Sequence, residues 1–242
     1  MTVQRLLANG TLGVCLTFAS INHATADQHG PEFAAGLGFG SDCTFRGVSQ
    51  TLGSAVVQAF GEVAFDSGLY AYVWGSNVDF VPANEPDDGA TYEIDAAFGY
   101  FHSFNDRWAA DVALVRYLFP DTKIDANYTE LITTLWLDDQ HYVTVGYSNG
   151  VFETDADGLF YSAGTSRELP LDLTLSAELG HYDLGNAYGA SYSYASLGVE
   201  RPFGPVTVSL TYYDTFGDDR EIFYSQSVGS RVVLSVWFDL LQ

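Results

Sequence analysis

Residues 40–51 read GSDCTFRGVSQT, directly after EFAAGLGFG at 32–40. Asp42 and Arg46 stand four positions apart. On a helix that spacing is a surface ion pair. On a strand it puts Asp42, Thr44 and Arg46 on one face. The neighbours decide between the two, because small and apolar residues alternate through 32–40, a period of 2. The stretch therefore reads as the outer end of a first β-strand over about 33–46.

The same period runs through the rest of the chain. LDLTLSAEL sets Leu171, Leu173, Leu175, Ala177 and Leu179 against Asp172, Thr174, Ser176 and Glu178. ATYEIDAAFGY sets Tyr92, Ile94, Ala96, Phe98 and Tyr100 against Thr91, Glu93, Asp95, Ala97 and Gly99. No long stretch has a 3.6 period. Twelve strands are predicted, at 33–46, 54–66, 68–80, 90–104, 107–119, 127–138, 140–149, 158–168, 171–183, 190–201, 205–214 and 227–239. Their connections alternate in length. Asp66-Ser67-Gly68, Asn105-Asp106-Arg107, Asp138-Asp139-Gln140, Glu168-Leu169-Pro170 and 202–205 are short; 47–53, 81–89, 120–126, 150–157, 184–189 and 215–226 are long. Tight turns at one end and longer loops at the other are the layout of an outer-membrane barrel.

The chain has 242 residues, with 31 acids, nine bases and a net charge of −22. So few bases exclude a nucleic-acid binder, which needs Lys and Arg for phosphates. Small cations are the natural partners. At the N-terminus, Arg5, an apolar run and Ala24-Thr25-Ala26 form a secretory signal pattern. The expected domains are a signal peptide over 1–26 and a barrel over 27–242. Cys15 leaves with the signal, so Cys43 is expected as an unpaired, buried small hydrophobe. No apolar run after residue 26 is long enough for a membrane helix.

The fold expected is thus all-β: a transmembrane, antiparallel, up-and-down barrel of about 12 strands in the outer membrane. One face of each strand is apolar and meets lipid; the other, small or polar, meets a watery lumen. Tyr70, Trp74, Trp108 and Tyr128 lie near strand ends and are expected as interface girdles. Arg116 has lipid-facing parity near the outer interface.

SDCTFRGVSQT (41–51) also resembles the N-terminal signature of the TorF-type porins, a proteobacterial family of outer-membrane barrels. SGLYAYVWGSNVDF (67–80) is similar to the family's next hairpin at Gly68, Tyr70, Trp74, Ser76, Asn77 and Phe80. Cys43 replaces the family's usual aromatic, and the chain ends Asp239-Leu240-Leu241-Gln242 rather than on an aromatic residue. The resemblance implies an outer-membrane pore, no named substrate and no catalytic residues.

Strand parity nominates the pore-lining residues: Asp42, Arg46, Gln58, Glu62, Glu93, Asp95, Asp111, Glu130, Glu178 and Arg231. Acids dominate this set, and carboxylates lining a narrow pore favour cations. The function expected is passive diffusion of ions and small solutes with a cation preference. The alternatives are a plugged anchor barrel and a barrel enzyme. Arg46 or Arg231 is expected to bond Asp42 where the first and last strands close the barrel. Acidic loops at Glu85, Asp87 and Asp88, at Glu153, Asp155 and Asp157, and at Asp218, Asp219 and Glu221 read chiefly as solvated surface. Divalent cations bridging lipopolysaccharide are the functional alternative there. Of the histidines, only His181, near the outside end of its strand, has a setting in which a cross-strand acid would support catalysis. No cofactor or metal motif is present. The partners expected are outer-membrane lipid and lipopolysaccharide, small cations or solutes and the barrel assembly machinery, with a homo-oligomer also allowed.

Overall fold

A computed structural model describes residues 30–86, 89–152 and 154–241. The predicted signal peptide over 1–26 lies outside the described residues. The elements in order are β1 (Glu32–Gly40), β2 (Thr44–Phe45), β3 (Val48–Ser49), β4 (Val56–Ala64), β5 (Leu69–Asn77), β6 (Tyr92–Ser103), β7 (Trp108–Leu118) and β8 (Tyr128–Leu137). Then follow β9 (His141–Ser148), β10 (Gly158–Leu169), β11 (Leu173–Leu184), α1 (Gly185–Tyr188), β12 (Ala190–Phe203), β13 (Val206–Gly217), α2 (Asp219–Ile222) and β14 (Arg231–Leu241). Twelve long strands, each antiparallel to its neighbours, form a closed barrel, and β1 closes it against β14. The exception is the two-residue pair β2–β3, which forms a hairpin of its own.

The short turns are built as expected. Asp138 and Asp139 both have positive φ (54° and 56°), as do Leu171 and Asp172 (71° and 57°). Two successive positive φ values are what a two-residue turn needs to match the twist of its strands. Leu171 therefore belongs to a turn rather than to the strand start expected for it.

The outward face is apolar. Phe98, Leu114, Leu179 and Val232 are each more than half exposed. A closed sheet that holds so much apolar surface outward is built for hydrocarbon surroundings. Arg116 stays on this outward face, near the long-loop end, and donates to Thr129 Oγ1 at 3.1 Å.

The inward face corrects the expectation of a small, polar lining. Tyr70, Trp74 and Tyr128, expected as girdle residues, point inward and are buried; Trp108 alone of the four is exposed. Tyr72, Trp136, Tyr142, Tyr194 and Trp237 are buried inside as well. Four of these rings fit because glycines face them across the ladder. Gly99 is paired with Tyr70, Gly164 with Tyr142, Gly180 with Tyr194 and Gly38 with Trp237. A Cβ at Gly164 would lie 2.2 Å from the Tyr142 ring, and one at Gly38 2.6 Å from the Trp237 ring. Each ring thus lies flat over backbone that only glycine leaves bare.

Candidate functional site

The first strand ends at Gly40, not at residue 46 as its alternation suggests. Residues 41–55 turn away from the wall and enter the barrel from the long-loop end. Two pairs of left-handed residues make this path: Arg46 and Gly47 (φ 51° and 81°), then Leu52 and Gly53 (φ 52° and 78°). Gly47 is also required by space, since a Cβ there would lie 2.6 Å from Tyr194 Cβ and 2.9 Å from Thr215 Cγ2.

Asp42 organises the base of this segment. Its Oδ1 accepts from the Cys43 amide at 2.8 Å, Ser49 Oγ at 2.6 Å and Thr51 Oγ1 at 2.8 Å. Its Oδ2 accepts from Arg231 Nη1 at 2.9 Å, the first residue of β14. The segment is stitched to its surroundings by Ser49 N donating to Ser227 O and Asp79 N donating to Gln50 O, both at 2.8 Å. Cys43 is buried here, as expected of it.

At the inner tip, Arg46 reaches the far wall. Its Nη2 donates to Glu130 Oε2 on β8 at 2.7 Å, and both side chains are fully buried. Tyr117 donates to the same oxygen at 3.2 Å. The guanidinium carbon lies 3.8 Å from the Phe160 ring centre, 4.5 Å from Tyr182 and 4.6 Å from Phe45. Its Nε and Nη1 have no hydrogen-bond partner; the ring faces take that place, as a cation–π arrangement does. In the closed order β9 is diametrically opposite β1, with β8 and β10 beside it. The tip therefore spans the lumen.

The ten sequence-predicted lining residues fall into two groups. Asp42, Arg46, Glu130 and Arg231 form the latch just described. Gln58, Glu62, Glu93, Asp95, Asp111 and Glu178 line the barrel wall on the inward face. Glu62 and Asp111 lie toward the short turns, and Glu93 and Asp95 toward the long loops. Asp111 accepts from Tyr70 at 3.0 Å. Glu178 accepts from Tyr142 at 2.5 Å and also from Tyr194. Asp95 is fully buried, and its carboxyl hydrogen-bonds that of Glu93. None of Glu62, Glu93, Asp95, Asp111 and Glu178 forms an ion pair among the described residues.

Above the latch, at the long-loop end, lies a cavity of about 590 Å³. Phe45, Val48 and Gln50 of the inward segment meet rings such as Phe80, Phe119 and Tyr192 across it. The strand pattern does not predict this vestibule, because its rings come from six separate segments.

On the outward face, His181 Nδ1 and Ser193 Oγ lie 2.8 Å apart, across the β11–β12 ladder. That is two members of a nucleophilic constellation. Asp183, the nearest acid on the strand, is engaged elsewhere, by the Gly185 amide and Ser191 Oγ. No acid among the described residues hydrogen-bonds the other ring nitrogen. No group of three or more His, Cys, Asp or Glu suited to a metal ion occurs among the described residues.

A family model described as "Bacterial protein of unknown function (Gcw_chp)" matches residues 24–241. No curated protein matches the sequence. Among solved structures, the KdgM porin aligns with a TM-score of 0.53 at 8% identity, covering 85% of this chain and 98% of that one. A KdgM porin "in complex with disordered oligogalacturonate" gives a TM-score of 0.54 at 8% identity over 85% and 98% of the two chains. The NanC porin gives a TM-score of 0.54 at 10% identity over 87% and 98%. At such identities the likeness is one of fold: a porin-type barrel of this size.

Proposed function

The chain belongs to the bacterial Gcw_chp family, and on that premise we propose an outer-membrane channel of the porin type, cation-preferring and closed at rest by residues 41–55. The porin-type fold supports the channel, and the similarity of 41–51 to TorF-type porins points the same way. The observation that carries the charge preference is the lumen wall. Five inward carboxylates, Glu62, Glu93, Asp95, Asp111 and Glu178, form no ion pair among the described residues, while Arg46 and Arg231 are occupied by Glu130 and Asp42. A cation entering such a wall gains attraction at each step, and an anion is repelled. Oligogalacturonate, named with one KdgM structure, is a polyanion; the acidic wall here favours the opposite sign.

The inward segment supports a second reading, a barrel that is permanently plugged and acts as an anchor. One experiment separates the two. Single-channel currents are recorded in a planar bilayer under a potassium chloride gradient, for the wild type and for Arg46→Ala with its latch removed. Cation-selective steps in either protein support the channel. Steps with anion selectivity keep a pore and overturn the cation preference. Silence from both, with the barrel folded, leaves the anchor.

A further inference from the structure

The vestibule above the latch has a composition that points to a class of ligand. Its volume falls within the range of small-molecule sites. Six of its rings, Phe80, Phe119, Tyr128, Phe152, Tyr192 and Phe223, come from separate strands and loops and surround one space. Such a lining suits an apolar or flat group. Inorganic ions, which keep their water, gain little from it.

The charged lining is sparse and net acidic: Glu93, Glu221 and Arg220 among the described residues. Glu93 is the decisive one. It projects inward from β6 and is buried. No basic side chain among the described residues forms an ion pair with it, and its one carboxyl neighbour on the same face, Asp95, hydrogen-bonds it. A buried carboxylate without a counter-charge is costly. Ring faces, in turn, attract a positive charge. A ligand that answers both features carries an ammonium group on an apolar or aromatic body.

We propose that the vestibule is a binding site for organic cations, with the ammonium against Glu93 and the apolar body among the rings. This names the substrate class at the mouth of the channel and rests on the cation-preferring reading above. The inward segment gives the site its base, through Phe45, Val48 and Gln50. Occupancy of the vestibule therefore bears directly on the segment that closes the lumen.

The test is calorimetric titration of the refolded full barrel in micelles with benzyltrimethylammonium, and separately with benzyl alcohol and benzoate. The cation is expected to bind at least about tenfold tighter than the neutral and anionic compounds. Glu93→Gln should remove that margin and leave the weak binding of benzyl alcohol unchanged. Equal affinities, no binding at all, or a margin that survives Glu93→Gln would overturn the proposal. If Glu93→Gln does not refold, Phe223→Ala serves instead, since it lies in the loop after α2. It should weaken the cation severalfold, and unchanged affinity overturns the proposal. Binding without conductance in a bilayer would keep the site and remove the channel; conductance without binding would do the reverse.

Discussion

Arg46 and Glu130 are 84 positions apart in the chain, yet they meet at 2.7 Å with neither side chain exposed. The pair joins a segment that is not part of the wall to the wall opposite its own strand. Breaking such a pair from one side strands the other charge in a buried site, which typically costs about 3–5 kcal/mol. Arg46→Ala should therefore release the tip of 41–55 rather than unfold twelve strands. The expected outcome is faster proteolysis within 41–55 and new conductance steps, with the barrel's resistance to denaturation largely kept. Arg46→Ala combined with Glu130→Gln should lose less than the single change, because no orphan charge remains.

Arg231 and Asp42 form a second latch, at the seam where β14 meets β1. Arg231→Glu places a carboxylate against the Asp42 carboxylate. The base of the inward segment should loosen, because the same Asp42 holds Cys43, Ser49 and Thr51. Arg231→Gln, which removes the ion pair without setting a second carboxylate beside Asp42, should lose less. The check is the yield of folded barrel, read by gel shift, for the two variants.

The acidic wall predicts a graded effect on selectivity. Glu62→Gln and Asp111→Asn each remove one lumen charge near the short turns, away from the latch. In any conducting form the reversal potential under a salt gradient should move toward zero, further in the double variant. An unchanged potential would show that these carboxylates do not act as the filter.

The glycines opposite rings predict sharp local penalties. Gly164→Ala drives a Cβ to 2.2 Å from the Tyr142 ring. The ring must swing away, and it then loses its hydrogen bond to Glu178, now 2.5 Å. Overpacking of this kind costs about 1–3 kcal/mol. Gly61→Ala is the control, since nothing lies within 4 Å of its added Cβ. Urea unfolding from lipid vesicles should separate the two.

At the short turns, Arg107 donates through Nε and Nη2 to the two carboxylate oxygens of Asp138, at 2.7 and 2.9 Å. The guanidinium holds the Asp138 carboxyl below the usual carboxylate range. A depressed folded-state pKa favours the folded turn above the unfolded value and is lost as pH falls through the folded one. The pair is exposed, so the barrel as a whole should barely respond. The carboxyl carbon of Asp138 should titrate at lower pH in the wild type than in Arg107→Gln, as followed by NMR.

The wall of this barrel was legible in the sequence, and its contents largely were not. Twelve strands and their alternating connections follow from period 2 and from turn residues such as Asp138-Asp139. The inward segment escaped because Asp42, Thr44 and Arg46 keep the alternation of a strand while leaving the sheet. The signals of its turning were Gly47 and Gly53, each preceded by a residue that also takes positive φ. The aromatic filling escaped for a different reason. Tyr70 and Trp74 near strand ends look the same whether they face lipid or lumen. What places Tyr70 inside is Gly99 across the ladder, and that is known only once register is known. Parity did put the acids inward, because a carboxylate has one tolerable side of a lipid-facing sheet.

The glycines of β1 have a consequence for how the cylinder is sealed. Gly36 is covered by the Phe60 ring of β4, and Gly40 by Val56 and the Asp42 carbonyl. Only Gly38 is left vacant for a ring arriving from the other side, and the Trp237 indole fills it. If β14 slipped by two residues along β1, that indole would strike Phe60 or Val56. The seam between the first and last strands is thus proofread by a single side chain, and a misaligned closure has nowhere to put it.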